Sequence, residues 1–94
     1  MANLWKNDKQ LKIIEMSWKE CVAITDSWSL CYVCGQNSSE EPIYYIALLN
    51  EFYCKNCLTA YLKEAKRYKS DFQKEQLNFI NIRNKLIDLG TWND

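Results

Sequence analysis

The strongest constraint on this chain is a pair of Cys-x-x-Cys motifs, Cys31-Tyr32-Val33-Cys34 and Cys54-Lys55-Asn56-Cys57. Two residues between cysteines let both sulfurs of a tight turn face one ion about 2.3 Å away. Residues 35–53 separate the motifs, enough chain to leave as a hairpin and return. The pattern predicts one structural Zn2+ held by Cys31, Cys34, Cys54 and Cys57. Four thiolates close the coordination shell, whereas a catalytic zinc keeps a position open. The chain has no histidine. That removes the His/Cys zinc site of nucleobase deaminases, the H-E-x-x-H metalloprotease site, and Ser–His or Cys–His catalysis. A thioredoxin-like reading of Cys31 and Cys34 lacks the βαβ pattern it needs. The expectation is a protein that is not an enzyme.

Ninety-four residues make one domain with a small core, a size at which a metal often serves as a staple. The domain is expected to span residues 1–94. Its zinc-binding nucleus covers 30–68, and helical segments flank it over 1–29 and 69–94. Two glycines and one proline favour helix over long loops. The polar start from Met1 to Gln10 shows no secretory signal, and no apolar run is long enough to span a bilayer. A cytoplasmic location follows as an expectation, and reduced thiols there favour metal over disulfides.

Along the chain, Asp8 reads as a helix cap, and Leu11, Ile14, Trp18 and Cys21 recur at helical spacing. They predict a helix over Asp8–Ile24. A strand over 21–25 competes with it, because β-branched residues cluster there. Cys21 belongs to neither motif and reads as a small buried hydrophobe. Gly35 follows the first motif, where a knuckle needs positive φ. Ile43–Leu48 is the clearest strand, Leu49–Glu51 a turn, and Phe52-Tyr53 a short returning strand.

Cys54 and Cys57 fall at the start of a helix carrying Leu58, Tyr61, Leu62, Ala65 and Tyr68 on one stripe. A helix N-terminus favours the anionic sulfur that zinc needs. Phe72, Phe79, Ile82, Leu86 and Leu89 form a second stripe, closed by Gly90 as a C-terminal cap. Ser70 and Asp71 favour two helices with a break near 69–72, and one continuous helix over Lys55–Leu89 is the alternative reading. The fold class is α+β: a zinc-nucleated domain with a knuckle, a β-hairpin and a helix, flanked by N- and C-terminal helices.

A knuckle through Cys31, Cys34 and Gly35, a hairpin around Ile43–Tyr53, and a helix opening with Cys54 and Cys57 resemble the treble-clef zinc finger. The resemblance implies a zinc-binding nucleus over about Leu30 to Tyr68. It assigns no activity, since this fold group hosts many functions. The run from Tyr44-Tyr45 through Cys54 to Arg67-Tyr68 is also similar to small uncharacterised zinc proteins of phages and mobile elements. Cys31-x-x-Cys34 with Phe52-Tyr53-Cys54-x-x-Cys57 resembles, more weakly, the Gin family of anti-sigma factors, which silence a transcription factor. These likenesses imply an inhibitor or protein-binding role in a viral or mobile-element setting, acting on a host regulatory protein or enzyme in the host cytoplasm.

Two surfaces suggest partners. Trp5, Trp28 and Trp92 lie outside the clear helical stripes, and tryptophan is enriched among interface anchors. Packing between the chain ends and the core is the alternative reading. Lys63, Lys66, Arg67 and Lys69 cluster with Tyr61 and Tyr68, the residue types that grip phosphate and stack on bases. A formal net charge of zero weakens that nucleic-acid reading. The two terminal stripes could pair within one chain, or between chains in a homodimer.

Overall fold

The computed structural model describes residues 2–25, 31, 35, 42–66 and 68–93. Trp28, Cys34 and Arg67 lie outside them, as do most of the connections expected over 26–29 and 36–42. The described residues form an α+β fold around a four-stranded antiparallel sheet in the order β1-β2-β3-β4. The strands are β1 (Asn3–Trp5), β2 (Ile13–Met16), β3 (Ile43–Ile46) and β4 (Glu51–Tyr53). The helices are α1 (Trp18–Thr25), α2 (Lys55–Glu64) and α3 (Phe72–Leu89), with a short 3-10 turn at Lys69–Asp71 ahead of α3.

The register divides the sheet residues cleanly. Ile14 pairs with Tyr45, Tyr45 with Phe52, and Met16 with Ile43. These side chains share one face, where Trp18 and Cys21 of α1 and Phe79, Ile82 and Leu86 of α3 cover them. One position along, Ile13 pairs with Ile46 and Tyr44 with Tyr53, on the opposite face. Leu58 of α2 covers that side, with Trp5, Tyr61 and Leu62 around it. Alternation along a strand sends successive side chains to opposite faces. A strand covered on both faces therefore reads as a continuous apolar run, and all four residues of β3 are buried.

The helix expected over Asp8–Ile24 is corrected. Its first half is the loop after β1 and then β2, and helix begins only at Trp18. Leu11 and Ile14 kept helical spacing with Trp18 and Cys21, but they lie on opposite faces of the sheet. The true helix start is capped by Ser17. The Glu20 backbone N–H donates to Ser17 Oγ at 3.1 Å, and the Ser17 N–H donates to Glu20 Oε1 at 3.0 Å. That reciprocal pair is a capping box, an S-x-x-E signal present in the sequence at 17–20. The competing strand over 21–25 is helix. Asn7, not Asp8, organises the preceding loop: Leu11 N–H donates to Asn7 Oδ1 at 3.1 Å, and Asn7 Nδ2 donates to the Leu11 carbonyl at 2.9 Å.

The remaining boundaries follow the sequence reading more closely. The stretch from Lys55 to Leu89 is two helices, interrupted between Glu64 and Phe72. Gly90 ends α3 in the left-handed conformation (φ 83°) with its N–H on the Ile87 carbonyl, and Thr91 N–H reaches Leu86. Cys21 is fully buried beneath α3. Within the C-terminal stripe, Phe79, Ile82 and Leu86 are buried, but Phe72 and Leu89 are exposed. The chain then returns to its own beginning. Ala2 N–H donates to the Thr91 carbonyl at 2.8 Å, and Asn93 N–H to the Ala2 carbonyl at 2.7 Å.

Candidate metal centre

Three cysteines from two distant segments converge. The Sγ atoms of Cys31, Cys54 and Cys57 all lie within 4.8 Å of one another. Sulfurs bound tetrahedrally at about 2.3 Å stand about 3.8 Å apart, so this spacing fits three ligands of a single ion. Cys34, the fourth expected ligand, lies outside the described residues. The site can hold a metal ion, and thiolate donors suit zinc among the divalent ions.

Local structure explains how each sulfur arrives. Cys31 is buried, and the Gly35 N–H closes back on the Cys31 carbonyl at 2.9 Å. Gly35 adopts φ 70°, as the knuckle reading requires. A Cβ there would meet nothing within 4 Å, so backbone conformation, not crowding, selects glycine. Cys54 is the N-cap of α2, with extended backbone (φ −75°, ψ 168°) and its carbonyl receiving the Leu58 N–H at 2.9 Å. Cys57 falls in the first turn of that helix. The first turn carries no acidic residue, so thiolates are the negative groups nearest the positive end of the helix dipole.

The centre is continuous with the lower half-core. Cys57 packs against the cluster formed by Leu58, Tyr44, Ile46 and Tyr53. Lys55 reaches from the first turn of α2 over the rings of Trp5 (5.0 Å) and Tyr44 (5.3 Å), tying β1 and β3 to the cysteine-bearing helix. Tyr53 and Tyr61 meet edge to face at 5.9 Å. Burial, followed by the Glu75, Asp71 and Glu51 carboxylates, raises the pKa of Tyr61.

The other sequence-derived positions fall elsewhere. Lys63 is in the last turn of α2, Lys66 in the connection after it, and Lys69 in the 3-10 turn. All three are exposed, but three consecutive elements carry them, not one helix face. Trp5 is half-buried against Tyr44, and Trp92 half-buried against Phe79 at 6.1 Å. Sequence reasoning missed β1 and the pairing of Ala2 with residues 91–93, both too short to leave a periodic signal. It also missed why Glu75 occupies a core position. Glu75 is 2% exposed, and its Oε2 accepts the Lys12 backbone N–H at 3.2 Å.

No known family, curated protein or solved structure matches the chain. No helix among the described residues is long and apolar enough to cross a membrane.

Proposed function

We propose that the protein is a non-enzymatic, zinc-stabilised binding module of treble-clef type, with Cys31, Cys34, Cys54 and Cys57 as ligands. The convergence of Cys31 with the α2 cysteines carries this reading. The metal's work is structural: it fixes a short helix on one face of the sheet. The partner is a protein, and the surface of α3 supports that assignment. Leu77 and Ile87 are 62% and 49% exposed, with the half-buried Ile80 between them at helical spacing. Exposed apolar side chains gathered on one helix mark interaction surfaces. The weaker likeness to the Gin anti-sigma factors supports an inhibitor of a host regulatory protein. The likeness to small phage and mobile-element zinc proteins, which assigns no activity, supports only the setting.

Metal content and partner capture test the two halves separately. Purified protein is expected to carry one zinc per chain, and Cys54→Ser to lose it. Protein that is folded and metal-free under strong chelation refutes the scaffold. With zinc-loaded protein as bait, Leu77→Lys/Ile87→Lys is expected to abolish capture of a specific host protein. Capture unchanged by that variant, or no specific capture by the parent, refutes the α3 surface.

A further inference from the structure

A second site lies on the other side of the molecule from the metal. A groove of about 490 Å³ runs between β1 and the middle of α3, and Lys6, Lys12 and Arg83 line it with Phe79 and Trp92. Among the described residues no aspartate or glutamate lines it. In a chain of zero net charge, three cations in one concavity with no carboxylate are a local concentration of positive potential. None of the three side chains has an ion-pair partner among the described residues. Glu75, a buried carboxylate of α3, accepts the Lys12 backbone N–H.

The geometry holds the charges in place. Leu4 of β1 and Lys6, one residue beyond the strand, both line the groove and are exposed, while Ala2, just before the strand, is buried in the core with Phe79. Lys12 Nζ lies 5.4 Å from the centre of the Phe79 ring, and Arg83 Cζ lies 5.7 Å from the same centre. One aromatic ring thus holds two like charges beside the groove. Arg83 Nε is buried and donates to nothing among the described residues. A buried donor without an acceptor is costly unless a ligand supplies one. Trp92 is anchored edge-on to Phe79. Its chain segment is pinned to Ala2. It stays half-exposed at the end of the groove, with the exposed Asn93 amide beside it.

We propose that this groove binds a nucleotide through its phosphate. Lys6, Lys12 and Arg83 hold the phosphate oxygens, with the Arg83 fork supplying paired donors. The Trp92 indole offers a stacking face to the base, and Asn93 offers an amide donor and acceptor to its edge. The shared chemistry is a phosphate next to a planar base. A free mononucleotide and a single-stranded nucleic acid both present it. This site is separate from the metal centre and from the basic run at 63–69, and it does not depend on the protein-binding reading.

The test is backbone amide NMR on the zinc-loaded full chain, titrated with AMP, adenosine, inorganic phosphate and an eight-residue oligothymidylate. AMP is expected to shift Leu4, Lys6, Lys12, Arg83 and Trp92 in a saturable way, at least tenfold more tightly than adenosine or inorganic phosphate. Binding should weaken as salt rises. Lys6→Gln and Arg83→Gln are each expected to weaken AMP at least fivefold. Lys6 is exposed, so its replacement leaves the fold intact even if Arg83→Gln perturbs it. An oligonucleotide that binds at least tenfold more tightly than AMP identifies single strands as the source. Equal affinities identify the free nucleotide. Shifts that are absent at millimolar AMP, that Lys6→Gln leaves unchanged, or that acetate reproduces at the same concentration overturn the proposal.

Discussion

Removing the metal should melt one face of the sheet before the other. α2 is ten residues long, shorter than the length at which an isolated helix holds in water. Of its side chains, only Leu58 is fully buried, while Tyr61 and Leu62 are half-buried. Full burial of one such side chain contributes about 1.5–3 kcal/mol. Apolar docking alone therefore retains α2 with only a few kcal/mol. A structural zinc site in a small domain contributes apparent values of roughly 10–16 kcal/mol at neutral pH. On the other face, α3 is eighteen residues long and buries Phe79, Ile82 and Leu86 against α1 and the sheet. Among the described residues no cluster of metal-ligating side chains includes it. Hydrogen exchange in excess chelator is thus expected to deprotect Leu58–Leu62 strongly, and Phe79–Leu86 much less.

The same reasoning ranks two cysteine variants. Cys57→Ser removes a ligand and should release metal and lower stability by several kcal/mol. Cys21→Ser places a hydroxyl at a fully buried site, a change costing about 1–3 kcal/mol with metal content unchanged. Equal melting shifts for the two variants would refute the ligand assignment. Deprotection of α3 ahead of α2 would refute the division of the core.

Three further outcomes follow from the geometry. Burial pushes the Glu20 carboxyl up, but the Ser17 N–H that it accepts and the neighbouring Thr91 and Ser17 side chains outweigh it, and its pKa falls below 4.5. The unfolded chain then binds the proton more readily, so this stabilisation is full above pH 4.5 and disappears as pH drops through the folded value. Glu20→Gln should flatten that acid limb in paired denaturation series, metal release being common to both proteins. Burial raises the Tyr45 hydroxyl from 10 to about 12, and it donates to Asn50 Oδ1 at 2.5 Å. Its contribution is complete below pH 10 and lost as pH rises toward 12, a limb that Tyr45→Phe should remove. Leu86→Ala should cost about 2–5 kcal/mol by chemical denaturation. Leu77→Ala, at an exposed position of the same helix, should stay within about 0.5 kcal/mol.

Legibility in the sequence tracked how local each cause was. The knuckle glycine, the start of α2 at Cys54 and the Gly90 cap depend on a few neighbouring residues, and all could be read. The separation of α2 from α3 was expected from the poor helix formers Ser70 and Asp71, but these lie in the 3-10 turn leading into α3. The helix ends earlier, with Ala65 and Tyr68 extended, so neither of those two stripe residues is in α2. β2 was misread because its neighbours cover both faces. Ile13 and Ile14 are both buried, which erases the alternation that marks a half-exposed strand. With that signal gone, chance spacing with Trp18 and Cys21 mimicked a helix. The capping box at Ser17 and Glu20 was the local clue that could have moved the start to the right place. β1 has three residues and pairs with β2 across a loop, so only tertiary pairing reveals it. The cluster of Cys31, Cys54 and Cys57 was legible as residue types at a spacing. That Cys31 meets the α2 pair depends on the β3–β4 hairpin, which the sequence also showed.

Two different closures hold this small sheet between its helices. On the α2 face, the cysteine cluster brings Cys31, before β3, to Cys54 and Cys57 at the start of α2, so an ion held there would bridge the ends of one hairpin. On the α3 face, the chain ends do the same work through backbone pairing: Ala2 sits between Thr91 and Asn93. Each device joins segments far apart in sequence, and loop closure is where a constraint removes most unfolded-state entropy. A core of this size gains little from further apolar area, so cross-links between distant segments are the effective remaining source of stability. The two closures also isolate their surfaces. The α2 face carries two of the clustered cysteines at and before its first turn, while α3, anchored by packing and by its capped C-terminus, leaves Leu77 and Ile87 in solvent. Under the proposed function, that separation would let one helix present a binding surface without disturbing an ion held on the opposite face.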